Sequence, residues 1–290
     1  MLKQTLQANI PNWNGKLLTH VMPWFNEPGK IHRVSRYASN DPAVVEAQLD
    51  AMQAVGIEGI IVTYQGPSVS PFSHDSTMRL WEGCLEHQMP FALCLDPWIA
   101  KASPNPTQAA IIALQSPDVQ RMINSPAYLP ERFIIEFDLA NSAGVTIATL
   151  QAATPTTPLL TWHVGYSWPN APADPHNPVD ALATLKSDNA KPTMKMPGIN
   201  IRFNDGGAPL PAGVPLASFK GLRDYNNSVW GAGTGAARVI DHQAGNWFFD
   251  QLAVTPPAAP YVCLVTWNDS DEGTDNEATI AALSGHRIGH

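Results

Sequence analysis

The sequence predicts an α/β chain folded as a single (β/α)8 TIM barrel. Three observations predict it. Apolar, β-rich runs alternate with helical patterns along the chain, which is the signature of parallel βα units rather than of a sandwich. About eight such runs fit into 290 residues, the size and rhythm of a barrel. The proline-rich stretches, such as Pro169 to Pro178 and Pro256 to Pro260, fall where barrel loops are due, and no linker divides the chain. Residues 1–290 are therefore expected to form one domain.

The first strand is Leu17 to Phe25 (LLTHVMPWF). Asp41 then offers an N-cap with Pro42 at the first helical position, and Val44, Val45, Leu49 and Met52 line one face of a helix that ends near Gly56. Ile57 to Tyr64 is a continuous apolar run, as expected of a parallel strand covered on both sides. Met78 to His87 reads as a helix, with His74 and Asp75 as the loop and cap before it, and Phe91 to Asp96 as the next strand. Pro106 to Gln115 is helical, with a further turn from Pro117 to Asn124. Arg132 to Asp138 and Leu159 to Gly165 are strands, and Ala143 to Ala153 between them is ambiguous because Val, Thr and Ile weaken a helical spacing. Pro178 to Leu185 is a short helix, Thr193 to Phe203 contains a strand, and a short strand near Pro215 to Phe219 lies among long loops. A final amphipathic helix, Ala236 to Leu252, precedes the last strand, Tyr261 to Trp267.

Composition excludes several classes of function. The chain is 44% hydrophobic and only 14% charged, with 27 Pro and 9 Trp, whereas a soluble domain usually carries about 25% charged residues. A net charge of −8 with no Lys/Arg run gives no electrostatic footprint for nucleic acid. No run reaches the roughly 18 to 20 apolar residues that span a bilayer. Met1 to Ile10 lacks the apolar core and cleavage site of a secretory leader. The compartment stays open between cytoplasmic and, if a leader is removed, extracellular or particle-associated; the oligomeric state is open too. Cys84, Cys94 and Cys263 have no metal or redox spacing and read as small buried apolar residues. The nine His form no H-x-H or H-E-x-x-H pattern, and no Walker-type loop is present, so neither metal nor organic cofactor is expected.

In a barrel the active site lies at the C-terminal ends of the strands. Those ends present Trp24, Phe25 and Asn26; Tyr64 and Gln65; Asp96 and Trp98; Glu136 and Asp138; His163, Tyr166 and Trp168; and finally Trp267, Asn268, Asp269 and Glu272. Carboxylates beside aromatics suit carbohydrate, because ring faces stack on Trp and Tyr while carboxylates grip hydroxyls or do acid/base work.

The segment Trp267-Asn268-Asp269-x-x-Glu272-Gly273-Thr274 resembles the W-N-[DE]-x-x-E-G-T motif of glycoside hydrolase families 71 and 99, which are (β/α)8 barrels that cleave α-linked glucans or mannans. Weaker matches follow in order: Trp24-Phe25, Ser39-Asn40-Asp41-Pro42, Gly56 to Ile61, Lys220 to Asp224, Trp230-Gly231 and Gly245-Asn246-Trp247. The resemblance covers about residues 17 to 280. It implies that Glu272 is the general acid and Asp269 the partner carboxylate. From the residues themselves, Trp24, Tyr64, Asp96, Trp98, His163, Trp168, Asp224, Trp267 and Asn268 are expected to contact a carbohydrate substrate. Family 99 has Glu at the position of Asp269, which draws the comparison toward family 71; Ser270 and Asn276 also depart from both families.

Each residue has a second reading. Asp-Glu-Gly-Thr-Asp is good turn chemistry, the tryptophans also suit core or rim packing, and Asp96 and Asp224 suit loop caps. His163 also suits a hydrogen-bonded structural role, and Glu58 and Glu277 read as structural. At the level of the whole chain, the rival to a hydrolase is a non-catalytic carbohydrate-binding or structural barrel in a larger surface or particle assembly.

Overall fold

The structure is a computed structural model and describes residues 2–25, 27–28, 37–101, 103–130, 134–136, 144–157, 159–161, 182, 185–187, 189–190, 196–200, 203–204, 239–240 and 246–268. Its strands are β1 (Lys16–Val21), β2 (Gly59–Tyr64), β3 (Phe91–Leu95), β4 (Ile134–Glu136), β5 (Leu159–Thr161), β6 (Gly198–Asn200), β7 (Phe203–Asn204), β8 (Val239–Ile240) and β9 (Tyr261–Val265). The helices are α1 (Leu2–Asn9), α2 (Pro42–Val55), α3 (Pro71–Glu86), α4 (Trp98–Lys101), α5 (Pro106–Gln115), α6 (Pro117–Ile123), α7 (Ile147–Ala153) and α8 (Asn246–Ala253).

Seven strands form one sheet in the order β5-β4-β3-β2-β1-β9-β6, and every pairing in it is parallel. The last strand lies beside the first, Leu18 opposite Cys263, as the wrap of a (β/α)8 barrel requires. Apolar residues of the central strands are buried on both faces: Leu17, Leu18, Ile60, Ile61, Val62, Ala92, Leu93, Val262 and Leu264 all belong to one core cluster. That double burial is why these strands read as unbroken apolar runs.

Local signals account for most helix boundaries. Asp41 caps α2 by accepting from the Ala43 N–H at 2.9 Å, and Gly56 closes it in the left-handed region at φ 92°. Ser116 caps α6 and Thr146 caps α7, which resolves the ambiguous segment before residue 153 as a helix. The three cysteines are free and buried, as expected. In Cys84 and Cys263, burial pushes the thiol well above its ordinary range, so both are inert core residues.

Two helices start elsewhere than expected. The third helix begins at Pro71, not Met78, because Ser70 caps it through the Ser73 N–H at 2.9 Å; His74 and Asp75 are helical rather than loop and cap. The last helix begins at Asn246, and Val239–Ile240, inside the span expected to be helical, instead pairs antiparallel with Phe203–Asn204. Thr193 to Phe203 contains the expected strand at Gly198–Asn200, which pairs with β9, and the two-residue β7 follows it. The short strand expected near Pro215 to Phe219 lies outside the described residues.

The N-terminal helix α1 was not expected. It lies at the N-terminal ends of the strands: Lys3 Nζ donates to Glu58 Oε1 at 2.8 Å just before β2, and Trp13 Nε1–H donates to the Ala259 carbonyl at 2.9 Å just before β9. Leu6, Ile10 and Trp13 are buried there. Glu58 also accepts the Leu17 N–H at 3.1 Å, confirming its structural reading. In a barrel this end contributes stability, and chemistry belongs to the opposite rim.

Candidate active site at the C-terminal rim

Because the sheet is parallel, the residues that follow β1, β2, β3 and β9 emerge on one rim. Met22 to Phe25, Gln65, Asp96 to Trp98 and Thr266 to Asn268 are therefore neighbours in space although up to 246 positions apart in sequence. Trp24 is half-buried at this rim, and Trp98 is 37% exposed. Asp96 is 6% exposed; its Oδ1 accepts the Trp98 N–H at 2.7 Å and its Oδ2 accepts from Gln65 Nε2 at 3.1 Å. The carboxylate thus opens the short helix α4 and so sets Trp98 at the rim, the cap reading of Asp96.

Three predicted contact residues have other tasks in the structure. Tyr64 is only 1% exposed, and its hydroxyl lies 3.4 Å from Nδ1 of His74 on α3, with the two rings edge to face. Burial raises its pKa to about 12, the Ser116 hydroxyl opposes that and Asp118 adds to it, so the ring points into the helix layer rather than at the rim. His74 in turn places Nε2 3.3 Å from Asp118 of α6, tying α3 to α6. Trp267 is fully buried, and its Nε1 has no hydrogen-bond partner among the described residues, so the ring offers no face for stacking. Asn268 is 3% exposed, and both ends of its carboxamide are bound to the backbone of Met22. These burials correct the substrate-contact readings of Tyr64, Trp267 and Asn268.

The barrel interior holds a polar group that the sequence reading passed over. His20 Nε2 lies 2.6 Å from Thr63 Oγ1, and the Thr63 hydroxyl donates to Met22 Sδ at 3.4 Å, which makes His20 Nε2 the donor of the shorter bond. Strand alternation puts Thr63 opposite in direction to its neighbour Tyr64, so the His20–Thr63 pair faces inward while Tyr64 faces the helices. Complete burial lowers the His20 pKa to about 3 and keeps the imidazole neutral. The signal was available, since a histidine inside the apolar run LLTHVM requires a buried partner.

His163, Trp168, Asp224, Asp269 and Glu272, together with Asn26, Asp138 and Tyr166, lie outside the described residues. Glu136 ends β4. Among the described residues one group of possible metal donors, Glu46, Asp50 and His87, brings its atoms within 4.8 Å. It lies on the outer surface between α2 and the end of α3, where His87 Nε2 is 3.0 Å from Glu46 Oε2, and it is accounted for as a side-chain contact between these helices away from the rim. Among the described residues no helix is long and apolar enough to cross a membrane.

No protein-family model and no curated protein matches the chain. Solved structures do. A GH99 endo-alpha-mannosidase from Bacteroides thetaiotaomicron superposes with a TM-score of 0.57 at 13% identity, covering 91% of this chain and 87% of that one. A structure of the Bacteroides GH99 endo-alpha-mannosidase in complex with BIS-TRIS propane gives 0.55, again at 13% identity, over 91% and 86%. A glycoside hydrolase-like protein gives 0.55 at 10% identity over 92% and 88%. The likeness is one of fold, running over nearly the whole of each chain: this chain has the (β/α)8 architecture of a GH99 endo-alpha-mannosidase.

Proposed function

We propose that the chain is a glycoside hydrolase that cleaves α-linked glucan- or mannan-type polysaccharides or oligosaccharides. One observation carries the reading. Trp267 and Asn268, which open the W-N-D-x-x-E-G-T segment, emerge from β9 on the same rim as Trp24, Asp96 and the exposed ring of Trp98. Asn268 therefore lies at the end of the barrel where such folds keep their chemistry, and Asp269 is the next residue in the sequence. Similarity of fold to a GH99 endo-alpha-mannosidase over nearly the full length supports the same reading.

In this reading Glu272 is the protonated acid and gives its proton to the glycosidic oxygen as the bond to the anomeric carbon breaks. Asp269 stays ionised. Two carboxyls three positions apart in one cleft achieve this division because the charge on one raises the pKa of the other. If they stand about 6.5 to 9.5 Å apart, Asp269 activates a water and the anomeric configuration inverts; if about 5 Å, it attacks directly and the configuration is retained. Trp98, held in place by the Asp96 cap, and Trp24 provide stacking faces, and His163, Trp168 and Asp224 complete the sugar contacts. The reaction uses no metal or organic cofactor.

Incubation of the purified protein with a panel of α-glucans and α-mannans tests this by release of reducing ends. Release from at least one α-linked substrate is the expected result. Binding to the same polysaccharides without release would instead identify a barrel that has kept the fold and lost turnover.

A further inference from the structure

We propose that Asn268 is a positioning residue, which clamps the chain to Met22 at the position immediately before Asp269; this rests on the glycosidase reading above. The β1–β9 pairing runs in register from Lys16 opposite Tyr261 to Thr19 opposite Leu264. Beyond it the Trp267 N–H donates to the His20 carbonyl at 2.7 Å. One residue further on, Asn268 bonds the Met22 backbone with its side chain. Its Nδ2 donates to Met22 O at 3.0 Å, and its Oδ1 accepts the Met22 N–H at 2.8 Å.

The residue type matters, because satisfying one N–H and one C=O at once needs a donor and an acceptor on the same short side chain, which is what a carboxamide supplies. Aspartate keeps the acceptor but turns the donor into a second acceptor facing the Met22 carbonyl. Alanine leaves both Met22 groups unpaired at a position that is 3% exposed. The clamp also joins the two layers of the rim, since Met22 Sδ receives the Thr63 hydroxyl that is bonded to His20. The residue immediately before the proposed Asp269 carboxylate is thus fastened by two hydrogen bonds to Met22, the residue that follows β1.

The test compares Asn268→Ala and Asn268→Asp with Trp13→Phe, which removes a buried side-chain hydrogen bond at the opposite end of the barrel. Two readouts are needed. In wild type the Met22 amide is protected from hydrogen exchange by Asn268 Oδ1; in Asn268→Ala it exchanges about fivefold faster, whereas in Trp13→Phe it is unchanged. On the α-glucan or α-mannan that wild type hydrolyses fastest, Asn268→Ala lowers kcat about 10²-fold with KM nearly constant, as expected for a misplaced catalytic group. Trp13→Phe, assayed at the same distance below its Tm, keeps kcat within about twofold. Asn268→Asp lowers kcat as Asn268→Ala does, but its remaining acceptor keeps the Met22 amide protected. Equal Met22 protection in wild type and Asn268→Ala overturns the clamp, whatever the substrate. Lost protection with an unchanged kcat overturns the positioning role. An absence of release by wild type from every substrate is a different result, which overturns the glycosidase reading and the positioning role with it.

Discussion

Replacing Glu272 by Gln is expected to lower hydrolysis of the best α-linked substrate by about 10² to 10⁴-fold, the contribution of a positioned general acid. The substitution is nearly isosteric and removes only the transferable proton, so the thermal midpoint and the far-ultraviolet dichroism are expected to match wild type. The loss should fall on kcat rather than KM, because the proton is transferred in the transition state and is not a grip on the ground state. An activated aryl glycoside, whose leaving group needs little protonation, should recover much of the lost rate. A normally folded variant that hydrolyses natural substrate at the wild-type rate would remove Glu272 from the mechanism.

The second large effect is on stability and comes from His20. The folded chain holds this imidazole at a pKa of about 3, against 6.5 when it is exposed in the unfolded chain. Between those values the unfolded chain binds a proton that the folded chain refuses, so stability rises with pH across the window. It is undiminished above pH 6.5 and falls by about 1.4 kcal/mol per pH unit as the pH drops toward 3. Denaturant unfolding should therefore show a loss of about 2 kcal/mol between pH 6.5 and pH 5 from this group. His20→Gln is expected to lower stability at pH 7, because it disturbs the 2.6 Å bond to Thr63, yet to flatten the pH dependence by about one proton. Parallel pH profiles for wild type and variant would show that the acid sensitivity arises elsewhere.

Features written in a few adjacent residues were legible in the sequence. Asp41-Pro42 and Gly56 bound their helix correctly because capping is settled within one turn. Ser70-Pro71 carries the same start signal, yet the first turns of that helix hold Ser73, His74, Asp75 and Ser76 and show no apolar stripe. These polar groups are absorbed locally, the hydroxyls of Ser76 and Thr77 returning to the carbonyls of Phe72 and Ser73 at 3.0 and 2.8 Å. The sequence also located the rim, since strand ends can be counted. It did not show which way each rim residue turns. Trp267 and Asn268 looked like sugar contacts, and their burial depends on β1, more than 240 positions earlier in the chain. Tyr64 closes its strand as expected, but alternation sends it toward His74 and Asp118, while its neighbour Thr63 faces the interior. Non-local pairing of this kind leaves no mark in a window of a dozen residues.

In the proposed reaction two carboxyls meet one glycosidic bond, and a crystal structure of the Glu272→Gln variant with an α-linked oligosaccharide bound measures that directly. The expected result is a sugar ring stacked on Trp98 and a scissile oxygen within hydrogen-bond reach of the residue 272 amide. The Asp269 carboxylate should lie about 5 to 9.5 Å away from that side chain on the far side of the anomeric carbon, the exact separation deciding inversion or retention. An oligosaccharide bound away from this rim, or positions 269 and 272 on separate surfaces with no sugar between them, would contradict it.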